Sequence, residues 1–199
     1  KVMIACDHRL LPLLQRSFPQ THVGIEMHST HNAKPVRVVQ WAKDELKADF
    51  YTPMGTPLQH IRKRLEDFPA EREFLKPDPA RVRFWQDRLA SLGPGPYVGI
   101  CWRSMVLTTL RKKFFAALEM WKPVLENTGV KFINLHYGDC IAELDFVREK
   151  LGVAIHNFEE IDLRMHLDDS AALSAALDLM VSAPTAAAAL AAGTGTETW

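Results

Sequence analysis

The clearest structural signal in this chain is Leu179-Met-Val-Ser182-Ala-Pro-Thr185-Ala-Ala-Ala-Ala-Leu190-Ala-Ala-Gly193. The apolar run predicts a buried strand, and Thr185 with the alanines after it predicts a capped helix that stops at glycine. In an α/β protein such a helix begins at the carboxyl edge of the sheet, where its N–H groups and dipole suit a phosphate or diphosphate. The alternative is an ordinary helix packed through alanines, since most strand–turn–helix units bind nothing.

The alternation of strands and helices extends back along the chain. In the second half it predicts strands at 97–101, 131–135, 153–156 and 179–182, with helices at 114–126, 139–151 and 170–177. In the first half it predicts strands at 2–6, 23–27, 36–40 and from 48 toward 55, and helices after Asp7, at 57–68 and at 79–92. Such alternation is typical of parallel sheets with right-handed crossovers.

A domain boundary is predicted at Gly93-Pro-Gly-Pro96, because two prolines and two glycines interrupt either kind of regular element. The sequence therefore predicts an α/β fold of two Rossmann-like domains, at residues 1–93 and 97–199. The chain begins without methionine and stops at Trp199, where a further strand is expected. Both observations favour a piece of a longer chain.

Composition narrows the functional classes. The 199 residues are 47% apolar, and 24 Lys and Arg balance 24 Asp and Glu, so neither a nucleic-acid-binding protein nor a transmembrane segment is predicted. The cysteines, Cys6, Cys101 and Cys140, are odd in number and widely spaced. They favour a reducing compartment, and hence a cytoplasmic protein, over a disulfide framework.

Four segments of the second half share one likeness. They are Val98-Gly-Ile-Cys-Trp-Arg-Ser104, Phe132-Ile-Asn-Leu-His-Tyr-Gly-Asp139, Leu167-Asp-Asp-Ser-Ala-Ala-Leu173 and Leu177-Asp-Leu-Met-Val-Ser-Ala-Pro-Thr185. In order and spacing they resemble the donor-binding domain of GT-B type bacterial glycosyltransferases, of the kind linked to tetratricopeptide repeats. Heptosyltransferase-like and flagellin-glycosyltransferase-like proteins are among its relatives. Residues 1–75 match only loosely.

The resemblance implies an enzyme that transfers a sugar from a nucleotide-sugar substrate to a hydroxyl of a protein, such as flagellin, or of a lipid-linked glycan. It implies no cofactor and no metal, and the chain contains no Asp-x-Asp motif. The first domain would be the acceptor side and the second the donor side. The alternative is a catalytically degenerate module for binding or scaffolding. Pro184 and Ala189 favour it, since many family members have aspartate and histidine there.

The candidate functional residues follow predicted strands. The donor-binding set, as the resemblance implies it, is Arg103, Ser104, His136, Tyr137, Asp168, Ser182, Thr185 and Ala186, with Arg111 or Lys112 adding charge. Structural roles are the alternatives: a loop cap for Arg103, a polar core residue for His136 and a helix cap for Asp168 with Asp169. The candidate bases are Asp7 and His8, and helix capping is the alternative for Asp7.

Overall fold

The structure is a computed structural model that describes residues 2–44, 48–69, 73–106, 108 and 111–199, with the backbone alone at 43, 44, 111 and 112. Its contacts divide the chain into two compact units, Lys1–Arg72 and Glu73–Trp199. The predicted boundary at Gly93–Pro96 therefore lies inside the second unit. The predicted limits 1–93 and 97–199 stay a prediction about domains.

The first unit contains four strands and three α-helices in its described residues. They are β1 (Met3–Cys6), α1 (Leu11–Ser17), β2 (His22–Ile25), β3 (Met27–His31), β4 (Lys34–Val38), α2 (Gln40–Asp44) and α3 (Leu58–Ile61). β1 and β2 pair in parallel, and α1 packs against β2 through the buried Leu13. Asp7 caps the 3-10 turn before α1 by accepting from the Arg9 N–H at 3.0 Å, which confirms its predicted capping role.

A hairpin occupies the stretch predicted as a polar loop. β3 and β4 pair antiparallel, and Asn32 and Ala33 between them have φ of 49° and 59°. Positive φ at both central residues of a two-residue connection matches the twist of the adjoining strands. Every residue of β3 is exposed, so the strand lacks the apolar alternation by which a strand is predicted.

Two predictions for the first unit are wrong. Residues 48–55 form no strand, and the helix predicted at 57–68 is reduced to α3 and a 3-10 turn at Leu65–Asp67. Phe50 and Tyr51 are 94% and 96% exposed, so the apolar residues that suggested inward faces have no core to enter. The described residues of this unit form two separate two-stranded sheets, and a second Rossmann-like domain is not shown.

The second unit is a mixed α/β domain around a four-stranded parallel sheet, which confirms the predicted class. Its elements are α4 (Pro79–Ala90), β5 (Tyr97–Cys101), α5 (Lys122–Leu125), β6 (Lys131–Asn134), α6 (Ile141–Leu151), β7 (Ile155–His156), α7 (Leu167–Ala175), β8 (Leu179–Ser182) and α8 (Ala186–Gly193). The strand order is β7-β6-β5-β8. β5 and β8 coincide with their predicted spans, whereas the helix predicted at 114–126 is only a 3-10 turn at Leu118–Trp121 and α5.

The sheet is covered on both faces. Alternate residues along β5 and its extension enter different cores: Cys101 packs with residues of α4, α7 and α8, whereas Ile100 and Trp102 pack with residues of α5 and α6. Successive residues point to opposite faces, and both faces are covered. The strand is therefore apolar along its whole length, which is the pattern from which buried parallel strands are predicted. α4 adds Trp85 and Leu89, both fully buried, and is therefore part of the second unit.

Residues beyond α8 extend the sheet. The Met180 N–H donates to the Glu197 carbonyl and the Trp199 N–H donates to the Met180 carbonyl, each at 2.8 Å. Thr198 thus forms a parallel bridge with Met180, at the position where a further strand is expected. None of the helices in the described ranges is long and apolar enough to cross a bilayer.

Gly99 lets β5 sit tightly in the first of these cores, and Gly99→Ala is expected to destabilise the protein by about 2 kcal/mol. An added Cβ would lie 2.6 Å from Leu177 Cδ1 and 2.9 Å from Leu135 Cδ1, and both side chains are buried. Urea unfolding of the variant measures the loss. Gly55→Ala, where nothing lies within 4 Å, is the control, and equal stability of the two variants would contradict the prediction.

Candidate functional site

The carboxyl edge of the parallel sheet gathers most of the predicted residues. The chain moves from β5 to β6 and β7 on one side and returns to place β8 on the other side of β5. The direction of winding therefore reverses between β5 and β8. Ligands of open α/β sheets bind in the crevice outside the strand ends at such a reversal.

The start of α8 forms one wall of this crevice. Thr185 is its N-cap, and its hydroxyl accepts from the Ala188 N–H at 3.5 Å, which confirms the predicted cap. The Ser182 hydroxyl lies 3.2 Å from the Thr185 hydroxyl. The first N–H groups of a helix have no partner within the helix, and Ala186 leaves them open to close approach.

Cys101, at the end of β5, connects α8 to the loop after β6. Its Sγ accepts from the Thr185 hydroxyl at 3.5 Å and lies 4.0 Å from His136 Nδ1. The thiol is fully buried, and burial raises its pKa. The thiol is therefore protonated and has a structural role. Through its two contacts it lies between Thr185 and His136 at the end of β5.

His136 is the most unusual residue at this edge. It is 2% exposed, and its ring stacks obliquely on Trp102 and Tyr137, with centroids 5.0 and 5.7 Å away. Nδ1 lies 3.0 Å from the Arg103 carbonyl, which can only accept, so Nδ1 carries the proton. Nε2 is then an unprotonated acceptor, and among the described residues it has no hydrogen-bond partner.

The protonation of His136 is set by its surroundings. Burial, followed by the nearby positive charge of Arg103, lowers the pKa of the imidazole to about 4. The ring is therefore neutral at physiological pH. A buried acceptor without a partner is costly, which marks Nε2 as a position that a ligand donor could satisfy.

Arg103 is more strongly engaged than the sequence predicted. Its guanidinium forms a two-point pair with the Glu143 carboxylate of α6, one bond at 3.0 Å, and donates to the Asp139 carbonyl at 3.0 Å. Trp102 Nε1 donates to the same carboxylate at 2.8 Å. Burial alone would raise the pKa of Glu143, but these hydrogen bonds lower it, so the charge of Arg103 is compensated.

A cavity of about 390 Å³ lies beside His136. Its walls come from the end of β6 and the segments after β6 and β7, namely Asn134, His136–Ile141, Asn157–Glu159 and Ile161–Leu163. Asn134 orders this wall, since it accepts from the His136 N–H at 2.8 Å and donates to Asn157 at 2.7 Å. Gly138 lies tightly against the imidazole and Met105, because a Cβ there would lie 3.1 Å from His136 Nε2 and 3.1 Å from Met105 Cγ.

The other predicted residues have varied surroundings. Ser104 and Tyr137 share a hydrogen bond of 3.3 Å at the same edge. Asp168 and Asp169 lie in the first turn of α7, two and three positions after its N-cap His166, so their predicted capping role is wrong. Asp169 instead binds Arg81 and Trp85 of α4. The side chains of Arg111 and Lys112 lie outside the described residues.

Asp7 and His8 follow β1 in the first unit. Asp7 accepts from Arg9 Nε at 2.8 Å and from a second guanidinium nitrogen at 3.0 Å. These bonds hold the pKa of its carboxyl well below the usual range, so Asp7 is a weak proton acceptor. His8 is exposed and lies 3.5 Å from that carboxylate.

The sequence alone does not predict several of the residues that shape the site. Glu143, Asn134 and Asn157 act through contacts between separate elements, and no local pattern announces them. The spacing of Trp102 and Glu143 gives no sign that their side chains meet. Across the described ranges, no group of three or more His, Cys, Asp or Glu residues is placed to hold a metal.

Comparison with known proteins gives one match. No protein-family model and no solved structure matches the chain. The chain is 40% identical over 193 residues to a protein of Caulobacter vibrioides named Protein FlbA. The match takes in 97% of this chain and 32% of that protein, so the chain spans about a third of the length of its curated relative.

This result corrects the family assignment. The resemblance to GT-B type glycosyltransferase domains linked to tetratricopeptide repeats is wrong, because no family model matches and the matching relative carries neither description in its name. Three of the four quoted segments contain the strands β5, β6 and β8 with the residues that follow them, and the remaining one, Leu167–Leu173, lies in α7. Apolar strands followed by small and polar residues are common to many α/β folds, and such a pattern is not specific to one family.

Proposed function

We propose that the second unit is a Rossmann-like domain that binds a nucleoside diphosphate, and that the chain acts as a nucleotide-sugar-dependent glycosyltransferase. The observation that carries the proposal is the crevice between β5 and β8, where the hydroxyls of Ser182 and Thr185 lie 3.2 Å apart at the start of α8. A reversal of winding that coincides with a helix N-terminus suits a diphosphate.

Small residues support the diphosphate assignment. Ala186 and the alanines after it leave the first turn of α8 without bulky side chains. The helix dipole and two hydroxyls would then carry the phosphate charge, because the guanidinium of Arg103 is paired with Glu143. The nucleoside would extend across the end of β5 toward the loop after β6, because ligands of such sheets lie along the carboxyl ends of the strands.

The proposed reaction is a sugar transfer. The oxygen of an acceptor hydroxyl forms a bond to the anomeric carbon, and the bond from that carbon to the diphosphate breaks. The electron pair leaves with the nucleoside diphosphate, and the hydroxyl proton passes to a base. Asp7 and His8 stay predictions for that base, and the carboxylate of Asp7 is a poor proton acceptor because Arg9 holds it.

Nucleotide binding tests the proposal directly. Calorimetric titration of the 199-residue chain with UDP, GDP and ADP, without added metal, is expected to show binding of at least one nucleotide. Thr185→Val keeps the shape of the side chain but removes the hydroxyl, and it is expected to weaken binding about tenfold, or about 1.4 kcal/mol.

Two further variants make this result specific. Thr185→Ser retains the hydroxyl and should bind like the wild type, whereas Ser91→Ala removes a hydroxyl at the exposed end of α4 and should have no effect. Absence of binding by all three nucleotides would overturn the proposal.

A binding module without turnover is the second candidate. The pairing of Arg103 with Glu143 favours it, since it leaves the leaving diphosphate without that cation. Release of nucleoside diphosphate from a nucleotide sugar, measured by coupled assay with and without a hydroxyl acceptor, separates the candidates. Binding without release would identify the module.

The proposal retains part of the predicted setting. The acceptor is a hydroxyl group of a protein or a glycan, and no contact of the described residues singles out flagellin. Cys6, Cys101 and Cys140 are buried and free, which suits the reducing conditions of the cytoplasm. We therefore place the proposed reaction there.

A further inference from the structure

We infer that the cavity beside His136 binds the nucleobase of the nucleotide and selects a base that presents hydrogen-bond donors, guanine above all. The inference rests on the proposed function, since it assumes that a nucleoside diphosphate occupies the crevice. It adds the identity of the base and the residues that choose it.

The position of the cavity makes it the nucleoside end of the site. It opens among the loops that follow β6 and β7, whereas α8 begins on the other side of β5. Cys101 spans the distance, because its Sγ lies 3.5 Å from the Thr185 hydroxyl and 4.0 Å from His136 Nδ1. A ligand with phosphates at α8 would therefore bring its nucleoside to His136.

The described residues of the walls are unfavourable to a second anion. None of those that line the cavity is lysine or arginine, whereas Asp139, Glu159 and Asp162 contribute carboxylates. Asp139 and Asp162 each accept from backbone N–H groups, Asp162 from Arg164 and Met165 at 2.9 and 3.0 Å. They remain acceptors toward a ligand, because an ionised carboxylate has no proton to donate.

His136 adds an acceptor where a histidine could have been a donor. The Arg103 carbonyl accepts from Nδ1 at 3.0 Å, which leaves the lone pair of the buried Nε2 without a partner among the described residues. Gly138 packs beside that atom, where an added Cβ would lie 3.1 Å from both Nε2 and the Met105 Cγ. With the Asp139, Glu159 and Asp162 carboxyl groups, Nε2 makes the walls rich in acceptors, whereas the side-chain donors are the Tyr137 hydroxyl, the Cys140 thiol and the amide groups of Asn134 and Asn157.

Nucleobases differ in what they offer to such walls. Guanine presents adjacent N–H and NH₂ donors, adenine and cytosine present one NH₂ beside an acceptor nitrogen, and uracil presents one N–H between two carbonyls. Carbonyl oxygens facing carboxylates are unfavourable, so uracil is the poorest match. The aromatic rings of Tyr137 and Phe158 in the same walls suit a flat base.

A matched set of nucleotides tests the inference. Calorimetric titration with GDP, IDP, ADP and UDP is expected to show the tightest binding for GDP and at least tenfold weaker binding for UDP. IDP differs from GDP only by the absence of the NH₂ group, so about tenfold weaker binding of IDP would locate that donor in the cavity.

Variants assign the preference to the cavity. Gly138→Ala and His136→Gln are each expected to reduce the ratio of GDP to UDP affinity, while Ser91→Ala leaves it unchanged. ¹⁵N NMR of the wild type provides a readout independent of folding losses: GDP should shift the His136 Nε2 resonance as a donor reaches it, and inorganic pyrophosphate should not.

The outcomes separate the two proposals. Binding of UDP as tight as that of GDP, or an unchanged Nε2 resonance on saturation with GDP, overturns the base preference and leaves diphosphate binding intact. If none of the nucleotides binds, the proposed function fails, and the inference that rests on it fails as well.

Discussion

Asp169→Ala is expected to lower the free energy of unfolding by about 3 kcal/mol. The carboxylate accepts from Arg81 at two points, both at 2.7 Å, and from Trp85 Nε1 at 2.8 Å. These bonds join α4 to α7. Without the carboxylate, the indole N–H of a fully buried tryptophan loses its partner, and the guanidinium loses its counter-charge.

Most of this expected loss of stability comes from Trp85. The Arg81 side chain is 39% exposed, so solvent screens the loss of its ion pair and reduces its contribution. Urea unfolding followed by tryptophan fluorescence measures the change. Asp145→Ala, which breaks an exposed pair with Arg148 within α6, should cost less than 1 kcal/mol, and an equal loss in both variants would contradict the prediction.

Acidification is expected to lower the free energy of unfolding by about 3 kcal/mol through the protonation of His136 alone. Its pKa is about 4 in the folded protein and 6.5 when unperturbed, so between these values the unfolded chain binds the proton and the folded chain does not. The stability that depends on the neutral ring is complete above pH 6.5. It falls as the pH drops through the range from 6.5 to 4, and the loss is complete below pH 4.

Comparison of two variants isolates this effect. His136→Phe cannot titrate, so its stability relative to the wild type should improve by about 3 kcal/mol between pH 7 and pH 4. Ser91→Ala, which removes no titratable group, should follow the wild type over the same range. Parallel stability profiles for wild type and His136→Phe would show that the imidazole titrates normally and that Nε2 is not enclosed.

The sequence predicts the second unit well because its signals are local. β5 and β8 are apolar runs bounded by breakers, Thr185 caps α8, and Gly152 ends α6 with φ of 68°. The predictions for the first unit fail for a physical reason. Among its described residues only Cys6, Leu13, Ser17 and Val23 are buried, so most apolar positions there carry no information about a core.

The sequence predicts the candidate site only in part. Strand ends locate Thr185, Ser182 and His136, because parallel strands bring their carboxyl ends to one edge. The neutralisation of Arg103 by Glu143 and the protonation of His136 depend on contacts 40 and 33 residues apart. Neither follows from spacing, and both decide what the edge can bind.

The strand order also has a consequence for folding. β5 and β6 pair across 34 residues, whereas Ser182 of β8 reaches Cys101 from 81 residues away. Loop closure makes the longer pairing the slower one, so we expect β8 to join the sheet late. The crevice is then absent from the early folding nucleus, and a bound nucleotide would slow unfolding without accelerating folding.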